Sequence, residues 1–191
     1  MRLTEKIDGS NAAIRIRLYE PTEDASLAIP EMAIGESGNA YNVWVQSRSR
    51  FLLPTKEQDN FGFAAWVLKN MNTLVSTLGL GDHYGEWWGG KIQRGYGLSE
   101  RRFSLFNAQR WMESIHPTED RLNIGLYTVP MLYTGPYDGA KIQEVKQDLI
   151  DNGSRAVPGF RSEGMVVELL EAKSKYKVLT ENDDIHKWEV K

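Results

Sequence analysis

Two different hydrophobic periods run through this chain, and no single-class fold can satisfy both. Residues 12–19, AAIRIRLY, alternate, with Ile14, Ile16 and Leu18 on one side and Arg15, Arg17 and Tyr19 on the other, which predicts a half-buried strand. Across residues 60–78 the apolar residues Phe61, Ala64, Val67, Leu68, Met71, Leu74, Val75 and Leu78 recur at helical spacing, and Gly79 and Gly81 follow. That pattern predicts an amphipathic helix with a glycine stop. A second helix is expected over 138–151, with Ile142, Val145, Leu149 and Ile150 as its stripe, and further strands over 42–48, near 124–132, over 164–170 and over 175–179. Residues 20–40, rich in Pro, Glu, Gly, Ser and Asp, read as a long loop or insertion. The expected class is α+β, antiparallel sheets flanked by a few helices.

At 191 residues, 41% hydrophobic and 26% charged, the chain suffices for one domain with a full core, so residues 1–191 are expected to form a single unit. The absence of cysteine excludes a disulfide framework and thiolate metal sites. The three histidines, His83, His116 and His186, are too scattered to suggest a zinc site. Metal chemistry here means carboxylate and phosphate oxygens, which suits magnesium or manganese. No apolar run is long enough for a membrane span or secretory signal, so the expected location is cytoplasmic. A net charge of −3 argues mildly against a nucleic-acid partner. That sum conceals local basic segments, one with Arg94, Arg101, Arg102 and Arg110 and another with Lys173, Lys175 and Lys177.

The chemistry-bearing residues occur in short ordered groups. Residues 4–11, TEKIDGSN, set Lys6 two positions before an Asp8-Gly9 turn; on extended backbone Lys6 and Asp8 face one side, and Gly9 with Ser10 lets the chain turn sharply beside a phosphate. The stretch YGEWWGG puts Glu86 among glycines and aromatics. FSLFN offers Phe106, or Phe103, as a ring able to stack on a purine. SEGMVVEL sets Glu163 at the mouth of an apolar strand, and KYKVL places Lys175 and Lys177 on one strand face. Each group has a plainer reading: a charged strand end, a turn acid, a core ring, a surface acid, a solvated lysine face.

Taken in order, EKIDGSN, the Ser-Arg of VQSRSR, YGEWWGG, FSLFN, SEGMVVEL and KYKVL resemble the motifs of the covalent nucleotidyltransferases, the superfamily of polynucleotide ligases and mRNA capping enzymes. Glu5 before the lysine and Ser10-Asn11 after the glycine look most like ATP-dependent RNA ligases of the phage and editing type. The likeness runs from Thr4 to Leu179. It implies an ATP-grasp-like ligase adenylation domain in which Lys6 takes AMP from ATP and Glu5 helps frame the adenine. Asn11 and Arg48 would contact phosphates, Glu86 the ribose, and Phe106 the adenine ring. Glu163, with Asp8, would position Mg2+ or Mn2+, and Lys175 with Lys177 would grip the α-phosphate. Lys173 shares their strand parity, which leaves the identity of the pair open.

The implied reaction explains this residue set. A lysine with pKa near 10.4 is neutral in only about one molecule in 2,500 at pH 7, and only the neutral amine attacks phosphorus. Nearby ammonium groups and a divalent cation disfavour a third positive charge and also stabilise the departing pyrophosphate. AMP then passes to a 5′-phosphate of the nucleic-acid substrate, and a 3′-hydroxyl displaces it to join the strands. Few residues precede Lys6 and the sequence ends at Lys191, so neither a C-terminal OB-fold nor a helical appended domain is expected, and a partner protein or domain would help deliver substrate. The alternatives are a minimal ATP-dependent DNA ligase and a non-catalytic nucleotide- or nucleic-acid-binding module of the same fold.

Overall fold

The computed structural model describes residues 1–20, 28–29, 33–35 and 38–181. In chain order its strands and helices are β1 (Arg2–Lys6), β2 (Ser10–Leu18), β3 (Ala33–Ile34), β4 (Ala40–Ser47), β5 (Phe51–Leu52), α1 (Phe63–Lys69), α2 (Met71–Leu78), β6 (Gly81–Gly89), β7 (Arg101–Leu105), α3 (Ala108–Trp111), β8 (Leu126–Thr128), β9 (Met131–Thr134), α4 (Gly139–Asn152), β10 (Gly164–Leu169) and β11 (Ser174–Leu179). The result is a mixed α and β structure with few helices. Among the described residues no helix is long and apolar enough to cross a membrane. The chain separates into two compact units, one built from Met1–Gly9 with the chain from Trp88 onward, the other from Ser10–Trp87.

In the first unit the sheet order is β11-β10-β1-β9, every pair antiparallel. Leu3, Met165 and Val167 project to one face, where Val145 and Leu149 of α4 complete a buried cluster with Met1. Asp138 starts α4 by accepting hydrogen bonds from the Ala140 and Lys141 amides, an N-cap that satisfies donors with no intrahelical partner. A second cluster gathers Ile7, Trp88, Tyr96, Ala108, Val129 and Ala156. The strand expected near 124–132 is two strands, β8 and β9, separated at Val129-Pro130, because proline brings no backbone N–H to a ladder. One pair departs from the antiparallel expectation: β7 and β8 run parallel. The long connection through α3 permits this, since parallel neighbours need a crossover.

The second unit carries strands in the order β3-β4-β2-β6, with β5 on β4, all antiparallel. The alternation of residues 12–19 holds in the middle of the strand, where Ile14 and Ile16 are fully buried with Val43 and Val45 on the same face, but Leu18 at the strand end is 45% exposed. Trp87 on that face packs against Phe63 and Trp66 of α1, at ring separations of 5.3 and 5.2 Å. The single helix expected over 60–78 is two. Asn70 interrupts it at φ −111°, and its side-chain amide donates to the Trp66 carbonyl, a local bond that competes with the helical ladder. Asp59 receives the Ala64 and Ala65 amides at the start of α1, and Gly79 ends α2 at φ 66°. Part of the expected 20–40 loop is ordered as β3 on β4; residues 21–27, 30–32 and 36–37, and His186, lie outside the described residues.

Candidate active site

In the first unit Lys6 is the last residue of β1, and its Cα partner across the ladder is Gly164, which pairs onward with Leu179. Alternation therefore places Arg2, Thr4 and Lys6 on one face with Val166, Glu168, Lys175 and Lys177. Glu163, immediately before β10, reaches Lys6: its Oε2 accepts from Nζ at 2.6 Å in a half-buried ion pair. The Glu163 backbone is pinned by the Thr180 amide, which donates to its carbonyl at 3.1 Å, and by the Thr180 hydroxyl, which donates to Ser162 O at 2.9 Å. Gly164 is required here. It sits at φ 147°, and a Cβ would fall 2.2 Å from the Val178 carbonyl oxygen, so only glycine lets β11 approach.

The sheet register also separates the three candidate lysines. Lys177 lies one side-chain row from that of Lys6 and Gly164, opposite Val166. Lys175 lies a row further and is engaged by Glu168 at 3.2 Å, a carboxylate shared with Arg2 at 2.9 Å. Lys173 is in the turn between β10 and β11 at φ 49°. Glu5 occupies the other face of β1. It is 1% exposed, and its Oε2 accepts from the Arg155 and Ala156 amides at 2.8 and 3.0 Å, while Oε1 is buried without a partner. Burial raises the Glu5 pKa; the nearby Ser154 hydroxyl, these amides and Ser162 partly offset the rise.

The strand ends at Lys6, so the alternation assumed for residues 6–8 stops before Asp8. Asp8 instead pairs with Arg94 at 3.1 Å, and its amide donates to the Tyr96 hydroxyl at 2.8 Å. Tyr96 is 1% exposed, with its ring 4.9 Å from Trp88 and 5.0 Å from Phe160. Burial pushes its hydroxyl pKa up, so it remains protonated at any ordinary pH. Gly9 forms a bend just before β2. Phe106 is 38% exposed just past β7, whereas Phe103 is fully buried in that strand. Arg94 stood out in the sequence only as one of several basic residues, and Tyr96, Ser154 and Ser162 did not stand out, because their roles come from long-range contacts.

In the second unit Asn11 and Glu86 are Cα partners across β2 and β6, so the two side chains share a face. Both are half-buried, and Arg48 is exposed just beyond β4. Among the described residues no three His, Asp or Glu side chains gather as a metal-binding set. Asp8 and Glu163 each have one oxygen engaged by a basic side chain. Such isolated hard-oxygen donors fit a magnesium-like ion, which takes one or two carboxylates and completes its shell with phosphate oxygens and water.

The model of the RNA ligase family matches residues 1–188 of this chain. No curated protein and no solved structure matches it.

Proposed function

The chain belongs to the RNA ligase family, a ligase acting on nucleic acid, and on that premise we propose that it is an ATP-dependent enzyme whose nucleophile is Lys6. The observation that carries the reading is the 2.6 Å contact between Lys6 Nζ and Glu163, on a sheet face that Lys6 shares with Lys177. In the reaction the Lys6 amine attacks the α-phosphorus of ATP, an N–P bond forms, and the bond to pyrophosphate breaks. AMP next moves from Lys6 to a 5′-phosphate, and a 3′-hydroxyl finally displaces AMP as the strands join. The fold proposed for this chemistry is the nucleotidyltransferase domain of the phage and editing-type ligases.

Only a neutral amine attacks phosphorus, so the Lys6–Glu163 contact must open before attack. Glu163 and Asp8 would hold Mg2+ or Mn2+, which would supply charge neutralisation at the phosphates. Lys177 meets the α-phosphate, with Lys175 behind it. Asn11 and Arg48 bind phosphates, Glu86 accepts from the ribose hydroxyls, Phe106 stacks on the adenine, and Gly9 with Glu5 shapes the turn and strand that present Lys6.

Intact-mass measurement after incubation with ATP and magnesium tests the first step. The expected result is a single AMP adduct that is absent from Lys6→Ala; a wild-type protein without an adduct overturns the reading. Sealing of nicked duplexes carrying RNA or DNA at the 3′-hydroxyl side then tests the polymer. Preference for RNA is expected, because the 2′-hydroxyl is what distinguishes it, and sealing of DNA ends alone would identify a DNA ligase.

A further inference from the structure

The face of the second unit that carries Asn11 and Glu86 does not stop at those residues. The sheet register continues it along the strands: Ala13 stands between Tyr84 and Gln46, with Phe51 beyond Gln46, and Arg15 between Asp82 and Trp44, followed by Arg17. The opposite face, with Ile14, Ile16, Val43 and Val45, is buried, and so provides the rigid backing. On the outer face Tyr84 is 51% exposed, an unusual position for so large a ring on a strand. Its neighbour on the central strand, Ala13, leaves a shallow step beside it.

The charges are arranged to match. Asp82 Oδ1 alone accepts from both Arg15 Nε at 3.0 Å and Arg17 Nη2 at 2.7 Å. One carboxylate for two guanidiniums leaves a net positive charge, and the shared oxygen sets both groups in place while each retains further N–H donors. Arg15 also lies 6.0 Å from the centre of the Phe51 ring. Both arginines remain more than a third exposed.

Flat rings set across a rigid sheet beside a pair of fixed guanidiniums are what a single-stranded nucleic acid meets in proteins that bind it through stacking and backbone charge. We propose that this face is a track for the RNA strand, with Tyr84 and Phe51 as stacking platforms and Arg15 and Arg17 meeting backbone phosphates. The partner assignment rests on the ligase reading, and the track extends the face on which that reading puts Asn11 and Glu86. Ala13 and Gln46 set the two rings apart across the sheet, so they offer a protein partner no continuous apolar contact, whereas RNA uses rings and guanidiniums at once.

The test is fluorescence anisotropy of a labelled 5′-phosphorylated single-stranded RNA with the full chain, measured over a range of salt, beside the ATP adduct measurement on the same samples. Tyr84→Ala is expected to weaken RNA binding by about tenfold and Tyr84→Phe to leave it near wild type, since the ring supplies the stacking. Arg15→Gln with Arg17→Gln is expected to lower the salt slope by about 1.4, near 0.7 for each lost phosphate contact. All these variants should form the Lys6 adduct at the wild-type rate. RNA affinity and salt slope unchanged in both the Tyr84→Ala and the double-arginine variants would overturn the track, whatever the adduct shows. RNA binding that responds as expected in a protein forming no adduct would keep the track and remove the ligase chemistry instead.

Discussion

Lys6 and Glu163 are 157 positions apart in sequence and 2.6 Å apart in space, and the roles of neighbouring residues follow from that pair. On the proposed mechanism, Lys177→Ala is expected to slow adduct formation by about a hundredfold, because it would remove a charge that this mechanism aims at the developing phosphoryl oxygens. Lys175→Ala is expected to cost about tenfold less, since Lys175 is held by Glu168 one row further away. Rapid-quench measurement of adduct formation distinguishes the two, and equal losses would contradict the assignment made from the sheet register. The lysines were legible in the sequence as residue types and as a shared strand parity. Their ranking was not, because parity repeats every second residue while only the pairing of β11 with β10 says which row meets Lys6. Glu5 shows the complementary case: adjacent to Lys6 in the chain, it faces the other side of the sheet, since strand neighbours point in opposite directions.

At the level of elements, the end of β1 is held on both sides of Lys6, by Glu5 just before it and by Asp8 two residues after it. Glu5 takes the amides of residues 155 and 156, and Asp8 takes Arg94 while donating its amide to Tyr96. The two tethered loops meet where the Tyr96 and Phe160 rings pack. Tyr96→Phe should keep the ring packing but leave the Asp8 amide without its acceptor, at a cost of about 1–3 kcal/mol in a denaturant melt. Gly164→Ala should be more severe, about 3 kcal/mol or more, because it combines a left-handed φ with a clash against the Val178 carbonyl. A fully stable Gly164→Ala protein would show that β11 can move away from β10 without cost. The strands over 12–19, 164–170 and 175–179 and the helix over 138–151 were legible because burial of one face imposes its period directly. The break at Asn70 and the division at Val129-Pro130 were less so: a side chain bonding its own backbone and a missing amide act locally, beneath an apolar pattern that runs straight through them.

For the molecule as a whole, acidic groups work in opposite senses on stability. Burial pushes the Asp82 pKa up, but Arg17 and Arg15 overcome this and hold it down; Arg102 does the same for Glu100, and Arg155 for Asp148. A carboxylate with a lowered folded-state pKa contributes stability above its unfolded value, near 3.8 for Asp and 4.5 for Glu, and loses it as the pH falls through the folded value. These pairs are partly exposed, so the loss on acidification should be modest and should shrink in salt. Glu5 acts the other way: its raised pKa costs stability above 4.5, a cost that disappears as the pH falls through the folded value towards 4.5. Scanning calorimetry of wild type and Glu5→Gln should therefore show the wild type gaining on the variant as the pH drops from neutrality towards 4.5. A difference independent of pH would contradict the buried-acid account. Without any coordinates, composition and period determined the α and β mixture and the absence of thiol chemistry, and the order of short motifs gave the resemblance to a ligase. Only the tertiary structure decided which of those residues meet, dividing the chain into two units, joining Lys6 to Glu163 and Asn11 to Glu86, and turning Glu5 inward. The physical reason is that periodicity reports which face of an element is buried, whereas contacts between residues far apart in the chain depend on strand pairing and register, which no local pattern contains.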